Sequence, residues 1–208
     1  MPRNLSQDDV DAFRHRLCAV AERLFAQRGY EGVSFRVLAD ALGVSRMTPY
    51  RYFRDKAEIF AFVRTAAYQR FAASQEKGGA DESDPDARLL ALGKAYVDWA
   101  LAEPHAYRLM FELGQPDPDG HPELREAELR AWAPLREAVR AAVEAGRLRG
   151  DVDLLAHGFW AGVHGLVSLQ LAGKLAHGLG LAQLVEPILL QLVSGCSAIE
   201  SRIEEEPP

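Results

Sequence analysis

Arg46, Met47, Thr48, Tyr50, Arg51 and Tyr52 crowd into seven positions that begin three residues after Gly43. A guanidinium can make two hydrogen bonds to guanine O6 and N7, Met and Thr methyl groups can touch a thymine methyl, and tyrosine hydroxyls can reach phosphate oxygens. Lys56 adds a cation near the start of the following helix, where backbone N–H groups also point outward. Residues 34–56 hold five basic and two acidic side chains. Polar-tipped groups such as Tyr50, Arg51 and Tyr52 rarely cluster in a helix core just after a glycine turn, whereas Phe35, Leu38, Leu42 and Phe53 read as core. The chemistry on offer is recognition of double-stranded DNA.

The elements that must position these groups are helical. Ala39 and Gly43 stand four apart, the spacing of a helix-turn-helix. The small Ala39 lets the second helix cross close to the first, and Gly43 supplies a turn conformation that a β-carbon resists. Ser34 opens the first of these helices, and Ser45 is expected to cap a recognition helix Ser45–Phe53. Ahead of them Val10, Phe13, Leu17, Val20 and Leu24 recur at steps of three and four, one apolar stripe on a helix that Ser6 and Asp9 would cap and Gly29 would stop.

Further helices are predicted at Asp55–Gln75, Asp86–Ala102, His105–Leu113, Glu123–Ala145, Asp153–Leu175 and Leu181–Ile203. Lys77–Pro85 reads as a polar linker and Gly114–Pro122 as a turn-rich loop. Pro187 must kink the last helix or start its main part. Strand alternation is not found. The fold class is all-α: an N-terminal three-helix helix-turn-helix domain at 1–56, a C-terminal helical bundle for effector binding and dimerisation at 57–203, and an acidic tail at 204–208.

With these residues in view, the first sixty or so positions resemble the DNA-binding domain of the TetR family of transcriptional regulators. The segments VLADALGVS and TPYRYFRDK carry the likeness, most specifically Tyr50-x-Tyr52-Phe53 before Asp55-Lys56. The resemblance implies that Ser34, Arg46, Thr48, Tyr50, Tyr52 and Lys56 contact DNA, mostly at phosphate, with Arg46, Met47, Thr48 and Arg51 nearest the bases. One departure stands out: Pro49 occupies a position where the family usually has Leu. If Ser45 is the cap, position 49 should donate the first intrahelical hydrogen bond, and proline has no N–H. Further along, EPHAYRLMF (Glu103–Phe111) and FWAGVHGLVSL (Phe159–Leu169) resemble the family branch with a Trp/His-Gly signature, here Trp160, His164 and Gly165.

The resemblance implies a homodimer, released from a palindromic operator by an effector. Two half-sites about one helical turn apart suit a two-fold symmetric reader. The stripe containing Ile188, Leu189, Leu192 and Cys196 is wider than one neighbouring helix needs, and Gly162 and Gly165 on the preceding helix permit close approach. Those six are the expected dimer interface. Tyr96, Trp99, Tyr107, Phe111, Trp132 and Trp160, with His164 as a polar anchor, would suit a small apolar or aromatic effector.

Composition narrows the alternatives. The chain has 208 residues, 48% apolar and 26% charged, which excludes global disorder. Residues 1–64 hold 11 Lys and Arg against 8 Asp and Glu, while the remainder is strongly acidic. Two cysteines build neither a disulfide framework nor a four-cysteine zinc site. No metal-binding spacing, nucleophile–base pair or phosphate-cradling glycine loop occurs, so neither an enzyme nor a cofactor is expected. Leu154–Gly173 lacks charge over a bilayer's length but contains two histidines and four glycines, so a buried helix is expected there and no membrane span. Absence of an apolar leader points to the cytoplasm.

Overall fold

A computed structural model describes residues 7–111 and 120–198, with side chains as far as residue 194. Ser6, most of the Gly114–Pro122 loop, the Cys196 side chain, Ile199, Ile203 and the acidic tail therefore lie outside the described residues. Within them the chain is all-α, as expected, and no strand is found. The helices are α1 (Gln7–Arg28), α2 (Phe35–Leu42), α3 (Lys56–Gly78), α4 (Pro85–Ala102), α5 (Pro104–Phe111), α6 (Pro122–Glu144), α7 (Val152–Leu171) and α8 (Leu181–Ala198), with a 3-10 turn at Pro49–Arg51. The chain forms two compact units. One takes Met1–Gln69 and Glu103–Glu128, the other Arg70–Ala102 and Leu129–Pro208.

In the first unit the α1 stripe goes inward: Phe13, Leu17, Ala21 and Leu24 are buried, joined by Cys18 and Phe25. They meet Phe35 and Leu38 of α2, Ile59 and Val63 of α3, and Leu109 of α5 in one core. Sequence chemistry sets both ends of α2. Ser34 Oγ accepts from the Val37 N–H at 3.3 Å. Gly43 sits at φ +66°, and the Val44 and Gly43 N–H groups return to the Ala39 and Asp40 carbonyls. Those paired bonds satisfy carbonyls that the helix end would otherwise orphan, and they require a left-handed residue that glycine adopts without strain. At the start of α3, Asp55 Oδ1 accepts from the Glu58 N–H at 2.8 Å, and Glu58 Oε2 accepts from the Arg54 N–H at 2.7 Å.

Two polar links join α3 to distant parts of this unit. Arg64 is buried and donates to Glu128 Oε1 at 3.1 Å. The Tyr68 hydroxyl donates to the Met110 carbonyl at 3.1 Å. Burial, assisted by the Glu128 charge, pushes the Tyr68 phenol up to about 12.

The second unit closes with apolar surfaces. Leu89 and Leu92 of α4 meet Val139 of α6 and Phe159 of α7 in its core. Leu189 of α8 fills the space over Gly93, where an added β-carbon would stand 2.6 Å from Leu189 Cδ2. Leu192 does the same over Gly162, at 2.8 Å. Asp151 caps α7 by accepting from the Leu154 N–H at 2.9 Å. Pro187 lies inside α8 rather than starting it. No helix among the described residues is long and apolar enough to cross a membrane.

Candidate nucleic-acid interface

The segment after Gly43 corrects one expectation. Ser45–Phe53 is not a regular α-helix. It begins as a turn in which the Thr48 N–H donates to the Ser45 carbonyl at 2.8 Å, and continues as a 3-10 turn with Arg51 N–H to Thr48 O at 3.1 Å and Tyr52 N–H to Pro49 O at 3.0 Å. The physical reason is Pro49. With no N–H it cannot make the i to i−4 bond to Ser45 that would start an α-helix, so the chain tightens to i to i−3 bonding through it. An i to i−4 bond returns only at the end, from the Phe53 N–H to the Pro49 carbonyl at 3.1 Å. Ser45 Oγ still accepts from a nearby backbone group, the Met47 N–H, at 3.4 Å.

This tight segment displays most of the predicted side chains. Met47 is 66% exposed and Tyr50 54% exposed, and Arg46 and Arg51 are exposed beside them. Thr48 is half-buried. The two tyrosines rest on phenylalanines from other elements. Tyr50 stacks on Phe35 of α2 with centroids 4.1 Å apart, and Tyr52 stacks on Phe13 of α1 at the same separation. Aromatic stacking over buried rings fixes where their hydroxyls can reach. Arg14 Nη2 donates to the Tyr52 carbonyl at 3.2 Å and so ties the segment's end to α1.

Ser34 and Lys56 flank this surface. The Ser34 oxygen accepts from its own helix, which leaves its O–H able to donate to a phosphate. Lys56 Nζ donates to the Tyr30 carbonyl at 3.1 Å and to Glu31 Oε2 at 3.2 Å, 3.9 Å from the Tyr30 ring centroid. An ammonium has three N–H donors, so this lysine is oriented while one remains for a phosphate.

The aromatic residues predicted to line an effector cavity are divided between the units. Tyr107 and Phe111 belong to the first, where Phe111 packs against both Tyr107 and Tyr68. Tyr96, Trp99, Trp132, Trp160 and His164 belong to the second. There the Tyr96 hydroxyl and His164 Nδ1 are 3.0 Å apart, and Ser168 Oγ lies 3.3 Å from His164 Nε2. Burial lowers the His164 imidazole below its ordinary range, which favours the neutral ring. Trp160 packs 5.8 Å from the His164 ring and 6.0 Å from Trp132, and Trp99 packs on Phe71. Beside Tyr96 and Trp160 lies a cavity of about 30 Å³, also bordered by Gln75 and Leu135. That is room for one or two waters.

Of the residues predicted at a dimer interface, Leu189 is buried over Gly93, while Gly162 and Leu192 pack against each other within the chain. Ile188 and Gly165 are half-buried. A β-carbon at Gly165 or Gly158 would meet nothing within 4 Å. Leu154, Gly158, Ala161, Gly165 and Leu169 recur at steps of four, three, four and four on α7, and Leu154 is 72% exposed. Leu190 of α8 is also exposed.

Two family models match the chain. Residues 17–63 match "Bacterial regulatory proteins, tetR family". Residues 89–192, half of the chain, match "Tetracyclin repressor-like, C-terminal domain". The chain belongs to the TetR family. Among its relatives is the HTH-type transcriptional repressor Rv1474c of Mycobacterium tuberculosis, 29% identical over 73% of this chain and 77% of that protein. Another is the HTH-type transcriptional activator FasR of Mycolicibacterium smegmatis, 28% identical over 49% of this chain and 47% of that one. A solved structure from Rhodococcus sp. RHA1, described as a protein with unknown function, superposes with a TM-score of 0.75 at 27% identity, covering 95% of this chain and 99% of its own. This TetR-family chain is a DNA-binding transcriptional regulator and not an enzyme.

Three residues around the TetR-type reading surface escaped the sequence reading in this role: Phe13 and Phe35 as platforms, and Arg14 as the tie to the Tyr52 carbonyl. The apolar stripe marks the phenylalanines only as core. Arg14 acts across 38 positions, and no local spacing encodes a bond of that range.

Proposed function

We propose that this regulator is a cytoplasmic homodimeric repressor that binds a palindromic operator and leaves it when a small apolar or aromatic effector binds the C-terminal part. The observation that carries the DNA-reading role is the exposed set Arg46, Met47, Tyr50 and Arg51, fixed between the Gly43 turn and the Phe13 and Phe35 platforms. In this reading Arg46, Met47, Thr48 and Arg51 address base edges, while Ser34, Tyr50, Tyr52 and Lys56 hold phosphates. The functional division stays at 1–56 for reading and 57–203 for effector and partner, and the Trp/His-Gly branch is the assignment for the latter.

Dimerisation is supported by the outer face of α7. Gly158, Ala161 and Gly165 form a shallow strip between the exposed Leu154 and Leu169, a surface onto which a second helix can settle closely. Ile188 of α8 extends it, with Leu189 and Leu192 supporting from inside; Cys196 is added on the sequence stripe alone. For the effector, the small space beside Tyr96 and Trp160 means that a ligand enters only by moving those rings. A molecule that fits the opened state alone shifts the population toward it, and its differential affinity becomes the signal that lowers DNA affinity.

Selection of duplexes from a random library, followed by titration of the winner at several salt concentrations, tests the reading. A palindrome should emerge, affinity should fall steeply with salt, and Arg51→Ala should lose discrimination by about 10- to 100-fold at one base pair of each half-site. Enrichment of no sequence, or an Arg51→Ala variant as selective as the parent, would refute it.

A further inference from the structure

The first unit holds a cavity other than the one the aromatic residues suggested. It is a pocket of about 480 Å³ beside α1 and α3, well inside the range of small-molecule sites. Phe62, Ala61 and Ala66 supply apolar lining with the buried Phe53, and the Arg14 guanidinium lies over both phenylalanine rings. Three carboxylates, Asp11, Glu58 and Glu123, face one guanidinium, Arg14, so the lining carries a formal surplus of two negative charges with its histidines neutral. The Arg14 Nε–H is buried and has no hydrogen-bond partner among the described residues.

The geometry points to a second ligand site here, one for a small organic cation with an aromatic or aliphatic body and a hydrogen-bond acceptor. The acidic side of the pocket favours an ammonium group, and the lining around Phe62 and Ala66 receives the body. The Arg14 Nε–H, buried where the guanidinium lies over the Phe53 and Phe62 rings, meets the acceptor when that side chain shifts toward the ligand. A carboxylate ligand would meet one cation and three like charges. The site also touches the reading segment. Arg14 holds the Tyr52 carbonyl, Glu58 holds the Arg54 N–H, and Phe53 ends the segment itself. A ligand that draws Arg14 or Glu58 toward itself loosens those ties, so occupancy changes how the segment meets DNA.

Three compounds of one shape separate the charge requirement: tyramine as cation, 3-(4-hydroxyphenyl)propionate as anion and 4-ethylphenol as neutral body, each titrated into the full chain by calorimetry. Tyramine should bind up to about fivefold more tightly than the neutral body, as one added ion pair at a partly exposed site allows, and more tightly still than the anion. Glu123→Gln, an exposed change, should weaken tyramine alone. Ala66→Trp, which fills the pocket, should abolish binding. Tyramine should also change the affinity of the parent chain for its selected duplex. These binding arms need no DNA and so stand apart from the repressor reading. No tyramine binding, an equal preference for the anion, or indifference to both variants would overturn the site. Binding with unchanged duplex affinity would overturn its coupling to the reading segment.

Discussion

In the first unit α3 adds two polar links to its share of the apolar core: a buried arginine to Glu128, and a tyrosine hydroxyl to the Met110 carbonyl. In the second, α8 is held by leucines seated over glycines, Leu189 on Gly93 and Leu192 on Gly162. A charge in a protein interior needs its partner, because desolvation is costly and only close pairing offsets it. A leucine over a glycine depends on shape instead. The first arrangement fails when either partner is lost; the second fails when the space is emptied or overfilled.

Removing one partner of each kind gives the largest effects. Glu128→Ala should cost about 3–5 kcal/mol by leaving Arg64 buried and uncompensated, and Leu189→Ala about 2–5 kcal/mol by opening a cavity. Urea unfolding should tell them apart, since adding Arg64→Met to Glu128→Ala recovers much of the loss, whereas no charge change rescues Leu189→Ala. If the double variant is as unstable as Glu128→Ala alone, the polar half of the contrast is wrong.

A smaller effect sharpens the shape half. Gly93→Ala should destabilise by about 1–3 kcal/mol through collision with Leu189. Gly158→Ala, facing open space, should leave the folded chain intact or gain up to about 1 kcal/mol of helix propensity. Sedimentation should then show a weaker dimer for Gly158→Ala; an unchanged dimer would remove α7 from the interface.

Smaller still is the effect at the DNA surface. Glu31 is an exposed acid beside Lys56, so Glu31→Gln should tighten duplex binding about two- to fivefold at low salt, an advantage that fades as salt rises. Equal affinities at low salt would mean that Lys56 does not meet phosphate. The least change is expected from acid. Because burial lowers the folded-state His164 below its unfolded value, protonation favours unfolding. The stability its neutral form provides is fully present above the ordinary value of 6.5 and is lost as pH falls below it. His164→Gln should flatten the unfolding midpoint between pH 7.5 and 5.5 relative to the parent, and parallel curves would argue against the shift.

Much of this was readable from residue order, for reasons tied to locality. Ser34, Gly43 and Asp55 act on backbone groups within a few positions, so their types announce the ends of α2 and the start of α3. The inward stripe of α1 follows from helical period alone. The reading segment was half legible: Pro49 announced a missing bond, yet the resulting 3-10 turn depends on how the chain recovers from it. Arg64 and Leu189 show what periodicity leaves out. A buried arginine looks like any charged helix residue until Glu128 is placed beside it. A leucine on a wide apolar stripe gives no sign whether it faces a neighbouring helix or a second copy.

The proline-tightened segment also limits how much sequence one chain can distinguish. The base-facing set from Arg46 to Arg51 spans six residues, about 10 Å at the 3-10 rise, roughly three steps of a strand spaced about 3.4 Å apart. A genome offers roughly 10⁶ to 10⁹ competing sites, and so short a word recurs in it constantly. In the proposed homodimer, fidelity would belong to the spacing between two such words rather than to either one.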